Sequence, residues 1–345
     1  MSESNKLHIA IFGAGLVGCY LGGLLAHAGC ILTLIGRNKP NAELAHEGLT
    51  LTHYQRPKIF IPPEKFTFET NPQSVAKADI IILCVKSQDT ASAAEALKAF
   101  ARQDAIIVSA QNGVGNVDVL KSTLTQNIIL GSVIPYNVTK SDTSTYHCGT
   151  EGGIILEAHH DKRFEKLTRA FRHSGENPKI EPDIKPVQLS KLLMNLNNGI
   201  NALWGGTLKS GLMQKPYRLA LAAMIEEALI ITQNAGQEIK QFGKAGPKKS
   251  IKTLRLPNFL FGPVMNNILK IDATARSSML EDLENGKSSE IDYFQGEVIG
   301  LAERSGQSAP INRAVLTRVK LAFAAGRSPQ MNGRELWKMV KEAQS

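Results

Sequence analysis

The stretch SKLLMNLNNGINALWGG, Ser190 to Gly206, sets one lysine and several asparagines inside an otherwise apolar segment. On a helix turning about 100° per residue, Lys191, Asn195 and Asn198 fall at i, i+4 and i+7 on one narrow stripe. Leu192, Leu193, Leu196, Ile200 and Leu203 take the opposite side, at the spacing of a buried face. Solvated stripes usually carry Glu, Lys, Gln and Arg, whereas Asn is a poor interior helix former that tends to be placed for its side chain. On this segment alone, an ordinary surface stripe and a set of placed hydrogen-bonding groups around one ammonium stand level.

A second candidate set lies near the N-terminus, in LHIAIFGAGLVGCYLGGLLAHAGCILTLIGRN. Leu7 to Phe12 reads as a strand, Leu16 to Ala28 as a helix stopped by Gly29, and Ile31 to Ile35 as a buried strand. A lone G-x-G-x-x-G says little, but between a strand and a helix in a unit of about thirty residues it marks a dinucleotide site. Gly13 permits the tight turn, Gly15 lets a pyrophosphate approach the backbone, and Gly18 allows helix and strand to pack closely. Ala14, Leu16 and Val17 complete the turn, where the helix N-terminus offers free N–H groups and a positive dipole end. An acidic residue after the second strand would hold the ribose of NAD; this chain has Gly36-Arg37-Asn38. A guanidinium there pairs with a 2′-phosphate and points to NADP(H); its alternative is a solvated turn residue.

Further strands and helices alternate: Ala78 to Val85, a helical stretch from Asp89 to Phe100, and Ala105 to Gln111. That is the pattern of a doubly wound, mainly parallel α/β sheet of Rossmann type. Two strand ends carry polar residues, Lys86 in VKS and Asn112 in QNGVG. Ligands bind beyond the C-terminal ends of parallel strands, so both are candidate ligand contacts as well as candidate helix caps. After Ile128 the texture suggests an antiparallel addition to the sheet, followed by a helix from Lys162 to Ser174. The three prolines of PKIEPDIKPVQ mark a linker. We place a Rossmann-type domain at 1–180, the linker at 181–187, and a mainly α-helical C-terminal domain at 188–345.

Bulk properties agree with two domains. The 345 residues are 43% hydrophobic and 21% charged, as in a globular protein. A net charge of +9 is spread along the chain, with a local basic run only at Gly243 to Arg255. No aromatic residue interleaves that run, so it reads as a solvated loop, and a nucleic-acid partner is not expected. Cys19, Cys30, Cys84 and Cys148 show no C-x-x-C pair, which suits reduced thiols in a cytoplasmic protein and, with isolated His159-His160, argues against a metal site. Ile9 to Ala26 is a charge-free run long enough to mimic a membrane span, but its glycines belong to the nucleotide turn, so no membrane partner is expected.

In the C-terminal half, ATARSSMLEDLENGKSSEIDYFQGEVIGLAERSG reads as helix, Asn-Gly stop, serine cap and second helix. Ser289 and Asp292 fit a capping-box spacing, and Glu290 in the first turn is explained by the helix dipole alone. Ser277 and Ser278 read equally well as helix-start residues.

GAGLVG, VKS, QNG, SKLLMN, SSMLEDLENGKSSEID and the late SAPIN, in this order, resemble the ketopantoate reductase (2-dehydropantoate 2-reductase) family over almost the whole chain. The resemblance implies a Rossmann domain followed by a helical domain, with the active site in the cleft between them. It implies Lys191 as general acid and Glu290 as the glutamate of the active site. Asn195, Ser278 and Asn112 become substrate-binding, with Asn198, on the stripe of Lys191, as the replacement for a family asparagine absent at Gly199; Gly13 to Gly18, Arg37, Lys86, Asn112 and Glu290 become cofactor-binding. The chain departs from the pattern at Gly199 and Ala275, where some members carry asparagine, and at Gln188, near the place of a family tryptophan.

The chemistry implied is reduction of a 2-oxo acid, 2-dehydropantoate to (R)-pantoate, with hydride from NADPH and a proton from the ammonium. This reaction lies on the route to pantothenate and coenzyme A. Glu290 would raise the lysine pKa, so its role is to orient Lys191 or the substrate hydroxyl. The alternatives are a reductase of the same plan acting on another 2-oxo or 3-hydroxy acid, and a non-catalytic NADP-binding sensor. Oligomeric state stays open, a homodimer among the options.

Overall fold

The computed structural model describes residues 6–37, 44–149, 152–243, 246–264 and 275–345. The chain divides into two compact units, Met1–Lys185 and Pro186–Ser345. The first contains strands β1 (His8–Phe12), β2 (Ile31–Ile35), β3 (Leu49–His53), β4 (Arg56–Ile61), β5 (Phe66–Glu69), β6 (Ile80–Leu83), β7 (Ile106–Ser109), β8 (Ile128–Val133), β9 (Val138–Lys140), β10 (Thr145–Cys148), β11 (Ile155–Glu157) and β12 (Lys179–Glu181). Its helices are α1 (Leu16–His27), α2 (Leu44–Glu47), α3 (Thr90–Phe100), α4 (Asn116–Thr123) and α5 (Lys162–His173).

Among the described residues, eight strands form one sheet in the order β12-β11-β8-β7-β6-β1-β2-β5, parallel except where β11 meets β8. The apolar runs of its central strands are covered on both faces, the requirement of a parallel sheet. Ile9, Ile80, Ile82, Ile106 and Val108 point into the core shared with α1 and α5, while Ala10, Ile81, Leu83 and Ile107 point into the core against α3 and α4. The strand order reverses between β1 and β6, so the C-terminal ends of these neighbours flank the topological switch point of the sheet.

The expected antiparallel addition is realised only in part. β11 runs antiparallel to β8, but β9 and β10 leave the main sheet and join β3 and β4 in a four-stranded one. That sheet packs its apolar face, including Leu49 and Leu51, on α1 through Gly23, where a Cβ would lie 2.5 Å from Leu49 Cδ2.

The second unit is helical throughout its described residues: α6 (Lys185–Asn195), α7 (Asn197–Trp204), α8 (Leu208–Leu212), α9 (Lys215–Asn234), α10 (Pro247–Leu254), α11 (Asn258–Val264), α12 (Ser278–Glu284), α13 (Gln295–Arg304), α14 (Pro310–Ala324) and α15 (Gly333–Gln344). The long α9 forms its spine, packed by α10, α13, α14 and α15. Buried Arg218 on α9 caps two neighbours, donating to the carbonyls of Leu212 (2.8 Å) and Leu254 (3.1 Å) at the ends of α8 and α10. No helix among the described residues is long and apolar enough to cross a membrane.

Three local expectations need correction. The 181–187 linker is shorter, because Glu181 ends β12 and residues 185–187 already belong to α6; proline is tolerated in a first helical turn, where its missing N–H has no partner to lose. The basic run from Gly243 holds helix α10, with Ile251 and Leu254 buried and Lys248, Lys249 and Lys252 exposed; its residues 244–245 lie outside the described set. Ser289 Oγ accepts from Ile291 N at 3.1 Å just ahead of a 3₁₀ turn, Ile291–Tyr293, whose N-cap residue is Glu290, and α13 begins only at Gln295. Phe294, at φ −115° and ψ −84°, separates the turn from the helix, so no single capped helix starts at Ser289.

Candidate active site

In the first unit, the turn after β1 is built by its glycines. Gly13 has φ +109°, donates to Ile35 O at 2.9 Å, and carries no Cβ where one would lie 2.6 Å from Val85 N. Only glycine meets both conditions. A Cβ at Gly18 would collide with the carbonyl oxygen of Gly13 and approach Ile11 Cγ2 at 2.9 Å. Gly15 differs, because a Cβ there would meet nothing within 4 Å. Among the described residues nothing excludes a side chain at Gly15, which leaves room over the backbone for a bound group. Ala14 is buried and donates to Ile35 O at 2.8 Å. Leu16 is exposed and Val17 half-buried at the start of α1, where first-turn N–H groups point outward from the helix end. The cradle thus fits a dinucleotide pyrophosphate.

Arg37 follows β2 with its side chain 92% exposed and pairs with Asp89 at 3.0 Å. Asn38 lies outside the described residues. Lys86 and Asn112 are half-buried beyond the ends of β6 and β7. A buried polar network joins these two strand ends. Ser87 Oγ and Asn116 Nδ2 both donate to Asn112 O, at 3.0 and 2.6 Å. Gln111 Nε2 donates to Thr90 Oγ1 (2.7 Å), and the Thr90 hydroxyl donates to Asn116 Oδ1 (2.8 Å). Sequence reasoning missed Ser87, Thr90, Gln111 and Asn116; the available signal was the density of hydroxyls and amides just after two apolar strands.

In the second unit, the expected continuous stripe is interrupted. α6 ends at Asn195 and α7 begins at Asn197, so Asn198 belongs to a different helix from Lys191 and Asn195. The cause is local: Gly199 N bonds back to Leu196 O (3.2 Å) in a tight turn within a run of asparagines and glycine, all weak helix formers. The apolar side is as expected, with Leu192, Leu193, Leu196, Ile200 and Leu203 buried. Asn195 and Asn198 are half-buried and make no side-chain hydrogen bond among the described residues.

Lys191 is the electrostatic centre of this unit. Burial brings its pKa down to about 8, against the opposing pull of the Glu290 carboxylate. Desolvation therefore outweighs the attraction of a nearby opposite charge. Ser278 is exposed as the first residue of α12, while Ser277 caps that helix, accepting from Leu280 N at 3.2 Å. Asn201, buried on α7, accepts from Ser277 N (3.0 Å) and donates to Gly206 O (3.0 Å), fixing the start of α12. Asn201 was missed because one more Asn in an asparagine-rich helix carries no distinguishing spacing. Gly199 is buried against Gln295, and Ala275 offers its carbonyl to Leu208 N at 2.8 Å.

A doubly wound sheet with this glycine turn at its switch point, joined in one chain to a helical unit bearing a desolvated lysine beside a glutamate, defines a nicotinamide-dependent oxidoreductase of Rossmann type. Family models described as "Ketopantoate reductase PanE/ApbA" and "Ketopantoate reductase PanE/ApbA C terminal" match residues 9–161 and 183–322. The chain belongs to the ketopantoate reductase family. It is 24% identical to a 2-dehydropantoate 2-reductase of Halobacterium salinarum, covering 93% of this chain and 100% of that protein. The crystal structure of a PanE/ApbA family ketopantoate reductase from Ralstonia eutropha is similar with a TM-score of 0.78 and 25% identity, over 93% of this chain and 99% of that one. A D-mandelate dehydrogenase in complex with NADH and anilino(oxo)acetate shares the fold, with a TM-score of 0.77 and 18% identity over 93% and 99% of the two chains.

Proposed function

We propose that the protein reduces 2-dehydropantoate to (R)-pantoate with NADPH, on the route to pantothenate and coenzyme A, with Lys191 as general acid. The observation that carries this reading is the lysine itself, drawn down to about 8 by burial and facing the charge of Glu290. When bound, the reduced nicotinamide supplies the hydride for the C2 carbonyl. Gly13 to Gly18 would hold its pyrophosphate, with Lys86 and Asn112 at the adjacent strand ends. Arg37 would hold the 2′-phosphate; its exposed pair with Asp89 is of a kind worth about 0–1 kcal/mol, which a doubly charged phosphate outcompetes.

Lys191 polarises the carbonyl oxygen and delivers the proton that neutralises the alkoxide. A lysine in water, titrating near about 10.4, holds its proton too firmly for this; burial makes the ammonium a better donor. Glu290 opposes that shift, so its contribution is direction: it keeps the ammonium aimed and charged until the oxygen takes the proton. Asn195, Asn198 and Ser278 offer neutral hydrogen bonds to the carboxylate and hydroxyl of the substrate, adding no charge that competes with hydride transfer.

The test is NADPH consumption with 2-dehydropantoate against a panel of 2-oxo acids. The highest kcat/KM should fall on 2-dehydropantoate. Gly199 and Ala275 favour one second reading, a reductase of another 2-oxo acid, because the chain lacks two amides there. A panel maximum on a different 2-oxo acid would establish that reading instead.

A further inference from the structure

Lys191 and Glu290 stand on different elements of the helical unit, and one buried side chain joins those elements. Gln295 opens α13 five residues after Glu290 and is 0% exposed. Its Nε2 donates to the carbonyl of Leu196 at 3.0 Å. Leu196 is the break between α6 and α7: its N–H bonds to Leu192 O at 3.1 Å, and its carbonyl also accepts from Gly199 N at 3.2 Å. A side-chain donor inserted at such a point helps decide how one helix leaves the other.

The space for this amide exists because residue 199 is glycine. A Cβ there would lie 2.7 Å from Gln295 Nε2 and 3.0 Å from Val315 Cγ1. The other end of the same amide, Oε1, is buried without a hydrogen-bond partner among the described residues. That orphan oxygen costs stability that an apolar side chain of similar shape would not, so the amide is retained for its donor end.

We propose that Gln295 is a positioning residue for the reduction: by tying the start of α13 to the carbonyl of Leu196, it sets Glu290 against Lys191, with Gly199 providing the room. This rests on Lys191 being the proton donor. Both spans are short and stiff. Little more than one helical turn separates Lys191 from Leu196, and only the 3₁₀ turn Ile291–Tyr293 and Phe294 separate Glu290 from Gln295. A displacement at the strut therefore reaches both functional groups.

Gln295→Met keeps the volume and removes the donor, whereas Gly199→Ala keeps the donor and displaces it. Both variants, their double and Lys191→Ala are assayed with NADPH and 2-dehydropantoate from neutral to alkaline pH, with NADPH Kd and Tm measured in parallel. Each strut variant should lose about tenfold to a hundredfold in kcat and move the alkaline limb of the rate profile, with NADPH Kd unchanged. The double should be no worse than the poorer single, since both act on the same Gln295–Leu196 bond, which one variant deletes and the other displaces. If Gln295→Met lowers only Tm and keeps the wild-type kcat and alkaline limb, Gln295 is merely structural and the proposal is overturned. Should that variant fail to fold, Gly199→Ala carries the same readout. Near-wild-type turnover in Lys191→Ala would overturn the underlying reading, whereas an inactive Lys191→Ala beside a wild-type Gln295→Met would overturn the strut alone.

Discussion

A lysine yields its proton near neutral pH only where its charged form is uncomfortable, and Lys191 is placed so by burial. Its folded value, about 8, lies below the unfolded one, so the buried ammonium costs stability below that pH, and the cost fades as pH rises toward the unfolded value. For catalysis the protonated form is the reactive one, so the reduction rate should hold at neutral pH and fall as pH rises through about 8, measurable as the alkaline limb of kcat/KM. Replacing Arg37 with Ala should weaken NADPH far more than NADH, and titration of both cofactors checks it; an unchanged ratio would remove the 2′-phosphate role. Lys191 and Asn195 stood out in the sequence because a charge or amide in an apolar segment is conspicuous, whereas Glu290, in the polar stretch GKSSEID, was explained by the helix dipole alone and stood out only through the family resemblance. Gln295 and Asn201 did not stand out, since a buried glutamine or asparagine acts through one backbone partner distant in sequence, which no local spacing reveals.

At the scale of elements, the glycine turn separates folding requirements from binding requirements. Gly18→Ala sets a Cβ against the Gly13 carbonyl and should cost about 1–3 kcal/mol of stability, seen as a lowered denaturation midpoint. Gly15→Ala meets no atom within 4 Å beyond its chain neighbours among the described residues, so its stability should stay within about 0.5 kcal/mol of wild type. Its NADPH affinity should nevertheless fall at least about tenfold, equivalent to about 1.4 kcal/mol, because the methyl occupies the approach of the pyrophosphate. Isothermal titration beside thermal unfolding distinguishes the two variants. The central parallel strands β1, β2, β6 and β7 were readable as apolar runs, and α1, α3 and α5 from their periodicity; the parallel edge strands β5 and β12 were not, β12 lying in the proline-rich segment. The sheet of β3, β4, β9 and β10 was not, because its strands are short and β10 pairs with β3 from about a hundred positions away. The break at Leu196 was likewise hidden, since helical periodicity passes through a one-residue interruption almost unchanged.

At the scale of the whole molecule, each unit carries half of the proposed reaction: the sheet unit bears the dinucleotide turn, and the helical unit bears the proton donor. The two-unit plan was legible from the loss of strand signals after the proline-rich segment, but its boundary was drawn too wide because proline reads as a breaker even where it opens a helix. Substrate choice is the property least visible in either view. Gly199 looked from the sequence like a missing substrate contact, yet its buried position against Gln295 gives it a packing reason of its own. Whether Lys191 protonates a 2-oxo acid reduced by NADPH is decided by the pH–rate profile of NADPH oxidation with 2-dehydropantoate in wild type and Lys191→Ala. The wild type should turn over with an alkaline limb at about 8, and the variant should lose about 10²- to 10⁴-fold with that limb abolished while NADPH still binds. Turnover near the wild-type rate in Lys191→Ala, or the same limb persisting without the lysine, would contradict Lys191 as the proton donor.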